Sequence, residues 1–208
     1  MINTNPKMVK DFFEKSQQNI VIDTNRKELL EKIANKIAAN YNNGSLNINF
    51  ICTHNSRRSQ LGQVWSFFAA DYFNLPINAF SGGTEVTAFH RNTVKTLTEV
   101  GFKFEVVEFS HTNPTYKIFF SDDKPPLIGF SKLYDHPENK TPYFVLTTCN
   151  NADENCPFIP EAIQRFHVPY IDPKHSDDTD SQDETYLKTS EIIAAQMYYL
   201  FNKVKTLL

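Results

Sequence analysis

Cysteine is scarce in this 208-residue chain, at 3, and so low and odd a count excludes a secreted scaffold stapled by several disulfides. Catalysis, metal binding or burial remain as roles for a thiol. Glycine is sparse too, at 6, which excludes collagen-like repeats. Charge of one sign is missing: 21 Lys and Arg stand against 24 Asp and Glu, a formal net charge of −3, and the basic residues are scattered. That provides no field for a polyanion, so nucleic acid is not expected as a partner. No apolar run approaches the ~20 residues of a membrane-spanning helix, and no membrane partner is expected. Met1 to Asn25 carries Lys7, Lys10, Asp11, Glu14 and Asp23 with no continuous apolar core, unlike a secretory signal, so the expected location is the cytoplasm.

Aromatic residues are plentiful instead, with 18 Phe and 9 Tyr in a composition that is 40% apolar. A chain of this length buries roughly 70% of its unfolded surface, enough for one domain that folds alone. Intrinsic disorder is excluded. Between Arg26 and Tyr41, apolar Leu29, Leu30, Ile33, Ile37 and Ala38 recur at helical spacing ahead of the stop signal Asn42-Asn43-Gly44. Leu46 to Ile51 alternates and is rich in β-formers, which predicts a strand, and Ser59 to Phe73 reads as a helix. Ala79 to Gly83 is then a short strand, Thr93 to Val100 a helix closed by Gly101, and Phe102 to Phe109 a strand. Tyr116 to Lys132 suggests a hairpin, Tyr143 to Thr147 a buried central strand, and Glu184 to Leu208 an amphipathic helix. Strands alternating with helices predict an α/β fold with a mostly parallel sheet.

The strongest chemical signal is Cys52-Thr53-His54-Asn55-Ser56-Arg57-Arg58-Ser59, between a predicted strand and a predicted helix. A loop opening onto a helix N-terminus presents unpaired backbone N–H groups and the positive end of the helix dipole, both suited to a tetrahedral oxyanion. The same surroundings favour the thiolate of Cys52, the nucleophilic form. Arg58 can give two parallel hydrogen bonds to the oxyanion, a geometry that lysine does not reproduce. Ser59 can donate to the sulfur, and Asn55 can brace the loop. Arg57 is read as solvated, or as an extra positive charge at the rim. A bare Cys-x5-Arg also arises by chance, with the cysteine a small buried hydrophobe. The strand before it, the helix after it and the serine directly behind Arg58 favour a built oxyanion loop.

Ile51 to Gln60 resembles the catalytic loop of low-molecular-weight protein tyrosine phosphatases and of the thioredoxin-coupled arsenate reductases that share their fold. Phe80-Ser81-Gly82-Gly83-Thr84-Glu85 and Ser110-His111-Thr112 extend the resemblance. Cys149-Asn150-Asn151-Ala152-Asp153-Glu154-Asn155-Cys156-Pro157 resembles the resolving-cysteine segment of the reductases, which the phosphatases lack. A polar segment with few apolar anchors can unwind and let one sulfur after another react. Zinc would want four ligands, usually with closer cysteine spacing, and only Cys52 and six dispersed histidines remain to complete a set. Inert burial is the other alternative. Tyr170-Ile171-Asp172-Pro173 resembles the segment that carries the general acid, although Asp-Pro is also a common turn starter. Asp177, Asp178, Asp180 and Asp183 are read as a solvated acidic loop. Gln63 and Asn113-Pro114 depart from positions that contribute to a potassium site in some members.

The resemblance implies a three-layer α/β sandwich with a mostly parallel central sheet. It divides the chain into an N-terminal helical extension, 1–45, and a catalytic domain, 46–208, with an insertion near 116–140. The aromatics of that insertion are read as extra core. The function implied is arsenate reduction: Cys52 attacks arsenate held by the loop and Arg58, with Asp172 as acid, and Cys149 and Cys156 form the disulfide that thioredoxin reduces. No metal or organic cofactor is implied. The alternative is hydrolysis of phosphate monoesters, phosphotyrosine among them, through a phosphocysteine intermediate. A third reading, oxyanion or phosphopeptide binding without turnover, leaves the set Cys52, Arg58 and Asp172 without a purpose.

Overall fold

Burial of a strand on both faces puts it in the middle of a sheet, and β1 (Leu46–Cys52) is buried along all seven residues. The computed structural model describes residues 4–41, 44–155 and 158–208. Before β1 come α1 (Pro6–Asn19) and α2 (Thr24–Ala39); after it come α3 (Arg58–Tyr72), β2 (Ile77–Gly83), α4 (Arg91–Glu99), β3 (Lys103–Glu108), β4 (Thr115–Phe119) and β5 (Leu127–Gly129). The chain continues through β6 (Tyr143–Thr147), α5 (Asn150–Asn155), β7 (Ala162–His167), a 3₁₀ turn at Pro173–Ser176 and α6 (Gln182–Leu207). The central sheet has the order β2, β1, β6, β7 and is parallel throughout, the α/β arrangement expected.

Side chains alternate across that sheet. Ile48, Phe50, Phe144 and Leu146 join the main core with residues of α1, α2, α3 and α6, whereas Ile51, Tyr143 and Val145 form a smaller cluster with Cys52, Cys149 and Ala152. On this second side, Asn49 donates to Tyr134 O at 3.0 Å and Asn47 to Pro142 O at 3.0 Å, so the turns of residues 134–142 cover the sheet beside α5.

The expected hairpin is β4 and β5, paired antiparallel, and the expected strand at Phe102 to Phe109 is β3, which pairs with β4 and stays out of the parallel sheet. The reason lies in the connection. Only residues 109–114 separate β3 from β4, too few for the crossover that a parallel neighbour needs. Ile118, Phe119 and Phe120 are buried, in keeping with extra core in the insertion.

Helix α1 buries Val9, Phe13 and Ser16 and lays Phe12 on the core beside them, too short a pattern to stand out in sequence. Pro6 begins it and the Asn5 side chain accepts from Met8 N. Phe13 stacks on Trp65 of α3 at 5.8 Å and meets Phe68 at 5.2 Å and Tyr72 at 5.4 Å. Helix α2 starts at Asp23, which accepts from Arg26 N, and buries Leu30, Ile33, Ala34 and Ile37. Among the described residues, no helix is long and apolar enough to cross a membrane.

Trp65 is the single tryptophan, so its emission reports on the contact between α1 and α3. Phe13→Ala should lower the unfolding free energy by about 3–5 kcal/mol and shift the emission of the native state. Urea titration followed by fluorescence checks this; a loss below about 1 kcal/mol would mean that α1 is appended to the core and is not part of it.

Candidate active site

The chain leaves β1 at Cys52 and enters α3 at Arg58. The turn requires a left-handed residue, Asn55 at φ 44°, a conformation asparagine tolerates better than most. Gly83 lets the backbone pass behind the loop: a Cβ there would lie 2.6 Å from Thr53 O and 2.8 Å from Asn55 N. Arg57 stands at the N-cap position with no side-chain cap. The Arg57 side chain thus takes none of the first N–H groups of α3, the groups that can meet an oxyanion at a helix start.

Cys52 is 4% exposed, and its Sγ lies 3.0 Å from Ser59 Oγ. Asn55 Nδ2 donates to the same Ser59 oxygen at 2.9 Å, which leaves the hydroxyl proton to point at sulfur. Asn55 braces the loop from within: its Oδ1 accepts from Lys132 N at 2.9 Å and from Gln60 Nε2 at 3.2 Å. Gln60 also reaches Phe130 O at 2.9 Å, and Ser131 Oγ donates to His54 O at 2.9 Å. Phe130, Ser131 and Lys132 thus clamp the loop. Ser56 is buried and its carbonyl accepts from His90 N at 3.0 Å, while His54 is half-exposed, with Nε2 3.4 Å from Glu85.

Arg57 overturns its reading as a solvated or rim charge. It is 9% exposed; its Nε donates to Tyr186 Oη at 2.5 Å and its Nη2 to Asp177 Oδ2 at 2.6 Å. Asp177 therefore does not belong to a solvated run: it also accepts from Tyr186 at 2.6 Å. Desolvation works to raise the Asp177 carboxyl, but the Tyr186 hydrogen bond and the Arg57 and His90 charges hold it below the usual carboxylate range. Burial, followed by the Arg57 charge, lowers His90. Burial and the bond to Asp177 push Tyr186 up to about 12. A partner 129 residues away leaves no local mark in the sequence, so only the paired arginines hinted at this anchor.

Arg58 Nη2 meets Asp172 Oδ2 at 2.5 Å, and Nη1 donates to Tyr170 O at 3.1 Å. The structure thus brings together the loop arginine and the aspartate expected as acid. Asp172 Oδ1 accepts from Lys174 N at 3.0 Å, which fixes the carboxylate at the start of the 3₁₀ turn. Arg26 of α2 supports the approach to it, donating to Pro169 O at 2.6 Å and lying over the Tyr170 ring at 5.4 Å. A cleft of about 570 Å³ opens between Thr53 and Arg58, Cys149 to Asn151, and Pro169 to Ile171.

Cys149 forms the far wall of this cleft. It is 4% exposed, free like Cys52, and lies 3.5 Å from Thr53 Oγ1; Ala152 N donates to its sulfur at 3.4 Å. Thr53 Oγ1 donates to Asn151 Oδ1 at 3.1 Å, tying the loop to α5. The clamp on α5 comes from β6 and β7: Thr147 donates to Asp153 at 2.7 Å, Arg165 Nε to Asp153 at 3.1 Å, and His167 Nε2 lies 3.1 Å from Asn150 Oδ1. Partial burial opposes ionisation of Asp153, yet the Thr147 and Arg165 hydrogen bonds hold it below its ordinary value. Cys156 lies outside the described residues. At the positions tied to potassium, Gln63 accepts from Ser81 at 2.5 Å and donates to Ala79 O at 3.2 Å, and Asn113 exchanges hydrogen bonds with Ser131. Amides satisfied by protein partners occupy these places.

Asp177→Asn should lower the unfolding free energy at pH 7 by about 1–3 kcal/mol, the scale of a lost charged hydrogen bond in a partly buried site. A carboxyl whose folded pKa is depressed contributes stability above its unfolded value and loses it as pH falls through the folded one. The gap between wild type and variant should therefore narrow below about pH 4. Urea titrations at several pH values check this; a gap independent of pH assigns the loss to packing.

No protein-family profile matches the chain. Arsenate reductase of Staphylococcus aureus (strain Newman) is 30% identical over 128 residues, 61% of this chain and 77% of that protein. Arsenate reductase of Bacillus subtilis (strain 168) is 29% identical over 135 residues, 65% of this chain and 79% of its own length. Among solved structures, a low-molecular-weight phosphotyrosine phosphatase from Vibrio cholerae O395 superposes with a TM-score of 0.50 at 16% identity, over 76% of this chain and 95% of that one, a likeness of fold. With these relatives beside the Cys52 loop, the chain belongs to the family that unites thioredoxin-coupled arsenate reductases and low-molecular-weight protein tyrosine phosphatases.

Proposed function

We propose that this enzyme reduces arsenate to arsenite, with Cys52 as nucleophile and Cys149 as the first resolving thiol. One observation carries it. Two free cysteines stand at the ends of adjacent parallel strands, share one apolar cluster, and Cys149 lines the cleft onto which Arg58 opens. Ester hydrolysis has no use for a second thiol in that wall, and the arsenate reductases of S. aureus and B. subtilis are 30% and 29% identical to this chain over 128 and 135 residues.

The Cys52 thiolate attacks As(V) while the N–H groups of the loop and Arg58 hold the oxyanion, and Asp172 protonates the departing oxygen, which leaves as water. Cys149 then attacks the Cys52 sulfur; the S–As bond breaks, its electron pair reduces arsenic to As(III), and arsenite leaves. Cys156 enters on sequence grounds, attacking Cys149 and releasing the Cys52 thiolate. A dithiol reductant of the thioredoxin type returns two electrons to the Cys149–Cys156 disulfide. This chemistry calls for a cytoplasmic location, where thiols stay reduced. Residues 46–208 carry it, and residues 1–45 brace it through Arg26. Hydrolysis of phosphate monoesters, phosphotyrosine among them, is the second reading, favoured by the Arg58–Asp172 pair at 2.5 Å, which such hydrolysis also needs.

Cys52→Ser should abolish arsenate reduction and aryl phosphate hydrolysis alike, since a serine hydroxyl is too weakly acidic to replace the thiolate. Retention of more than a few percent in both assays assigns the nucleophile elsewhere. Arg58→Lys should cost on the order of 3 kcal/mol of transition-state stabilisation. Asp172→Asn should slow esters with poor leaving groups far more than activated aryl phosphates, which barely need protonation; equal losses move the acid to another residue.

Cys149→Ser and Cys156→Ser should each stop multiple turnover with arsenate, thioredoxin, thioredoxin reductase and NADPH while leaving any phosphatase activity within a few-fold of wild type. Alkylation and peptide mapping after arsenate treatment should find Cys52 joined to Cys149 in the Cys156 variant, and Cys149 joined to Cys156 in wild type. If arsenate produces no disulfide in reduced wild-type protein while aryl phosphate is hydrolysed, the phosphatase reading takes its place.

A further inference from the structure

Apart from the catalytic cleft, a groove of about 800 Å³ runs between the C-terminal half of α3 with the start of β2 and the chain leading into β5. Phe67, Leu75 and Ile77 line one side and Pro125, Pro126 and Leu127 the other. Lys132 lines the same groove although only 2% of the residue is exposed. Among the described residues its ammonium has neither a hydrogen bond nor an ion pair; its close partner is the face of Phe130, 4.7 Å from Nζ to the ring centroid. Nor is Nζ among the enclosed side-chain atoms without partners in the described residues.

The charges around the groove do not complete this lysine. Asp71 is engaged by Lys124 at 2.6 Å, Lys140 has the same sign, and Glu138 acts on Lys132 from beyond ion-pair distance. Burial outweighs the field of Glu138 and brings Lys132 down to about 8. The backbone of this lysine is fixed at the groove: its N–H donates to Asn55 Oδ1 at 2.9 Å and its carbonyl accepts from Gly83 N at 2.8 Å, so the Cα cannot shift without disturbing the active-site loop. A buried ammonium with no ion-pair partner among the described residues either gives up its proton or is matched by an anion from outside the fold, and a value of about 8 leaves it charged at neutral pH.

We propose that this groove binds a small organic anion, with its carboxylate, sulfonate or phosphate group on Lys132 and its aromatic or aliphatic body between Phe67 and Pro126. An inorganic oxyanion leaves the apolar walls uncovered, and a neutral hydrocarbon leaves the ammonium unpaired. An amphipathic anion satisfies both. The cleft at Cys52 has the opposite character, with backbone donors and an arginine for a compact polar oxyanion.

Fluorescence titration of the whole protein with 8-anilinonaphthalene-1-sulfonate, beside the neutral N-phenyl-1-naphthylamine, tests this. Lys132→Met keeps the length of the side chain and removes its charge. The variant should bind the sulfonate at least about tenfold more weakly and the neutral dye within about twofold of wild type. In wild type, sulfonate affinity should fall about tenfold from pH 7 to pH 9 as the ammonium loses its proton, with neutral-dye affinity constant. The pH series alone decides the matter if the variant does not fold. Equal sulfonate affinity in wild type and a folded Lys132→Met, or an affinity flat from pH 7 to pH 9, overturns the proposal.

Discussion

The pairing of Ile51 with Thr147 in adjacent parallel strands decides where the two described thiols stand. Parallel neighbours end at the same edge of a sheet, about 4.8 Å apart, so Cys52 and Cys149, one and two residues past that pair, leave it side by side. The hydrophobic pattern pins the register. A slip of one residue in β6 would turn Tyr143 and Val145 into the helical core, expel Phe144 and Leu146 from it, and carry Cys149 away from the cleft. The site accordingly sits where α/β folds place theirs, outside the carboxyl ends of the strands.

The loop achieves its shape by moving support outward. Leaving the start of α3 without a side-chain cap keeps its amide donors for substrate but gives up the stabilisation a cap would add. Asn55 takes over: in one left-handed residue it holds Ser59, Gln60 and the backbone of Lys132. Arg57 does the same at the helix end. An arginine in such a place costs several kcal/mol in lost hydration unless its donors are met, and Tyr186 and Asp177 meet them from α6 and the turn before it. Two adjacent arginines thus point to different tasks, Arg58 to the cleft and Arg57 to the frame.

Local chemistry was readable and long-range satisfaction was not. The strand, loop and helix around Cys52 were visible because alternation, a thiol and a helix start follow one another within a few residues, and Tyr143 to Thr147 was visible as an unbroken apolar run. Arg57 could not be told from a solvated charge, since its partners lie 120 and 129 residues away. β3 carried strand composition without any sign of which sheet it would join; the short connection to β4 settles that. Polar helices are the other blind spot. The fully buried face of α1 is Val9, Phe13 and a serine, with Phe12 half-buried beside them, and α5 contributes Ala152 alone to the smaller cluster. Asp172 was found through the residues around it, whereas the Arg26 brace beneath it joins distant parts of the chain.

The poverty of α5 in apolar contacts has a mechanical consequence for the proposed relay. Six residues are far below the length at which a helix holds itself together in water, so its persistence depends on the clamp that Thr147, Arg165 and His167 place on Asp153 and Asn150. Each such hydrogen bond contributes on the order of 1 kcal/mol net. A relay in which Cys149 first meets Cys52 and then Cys156 requires this segment to change shape between steps, and a clamp of a few polar bonds can be undone at that scale. An apolar helix docked like α3 could not. In the proposed relay the two thiols thus differ in their supports: Cys52 stands on a loop braced from several elements, whereas Cys149 leads into a short helix held by a few polar bonds, which can open at far lower cost than a packed one.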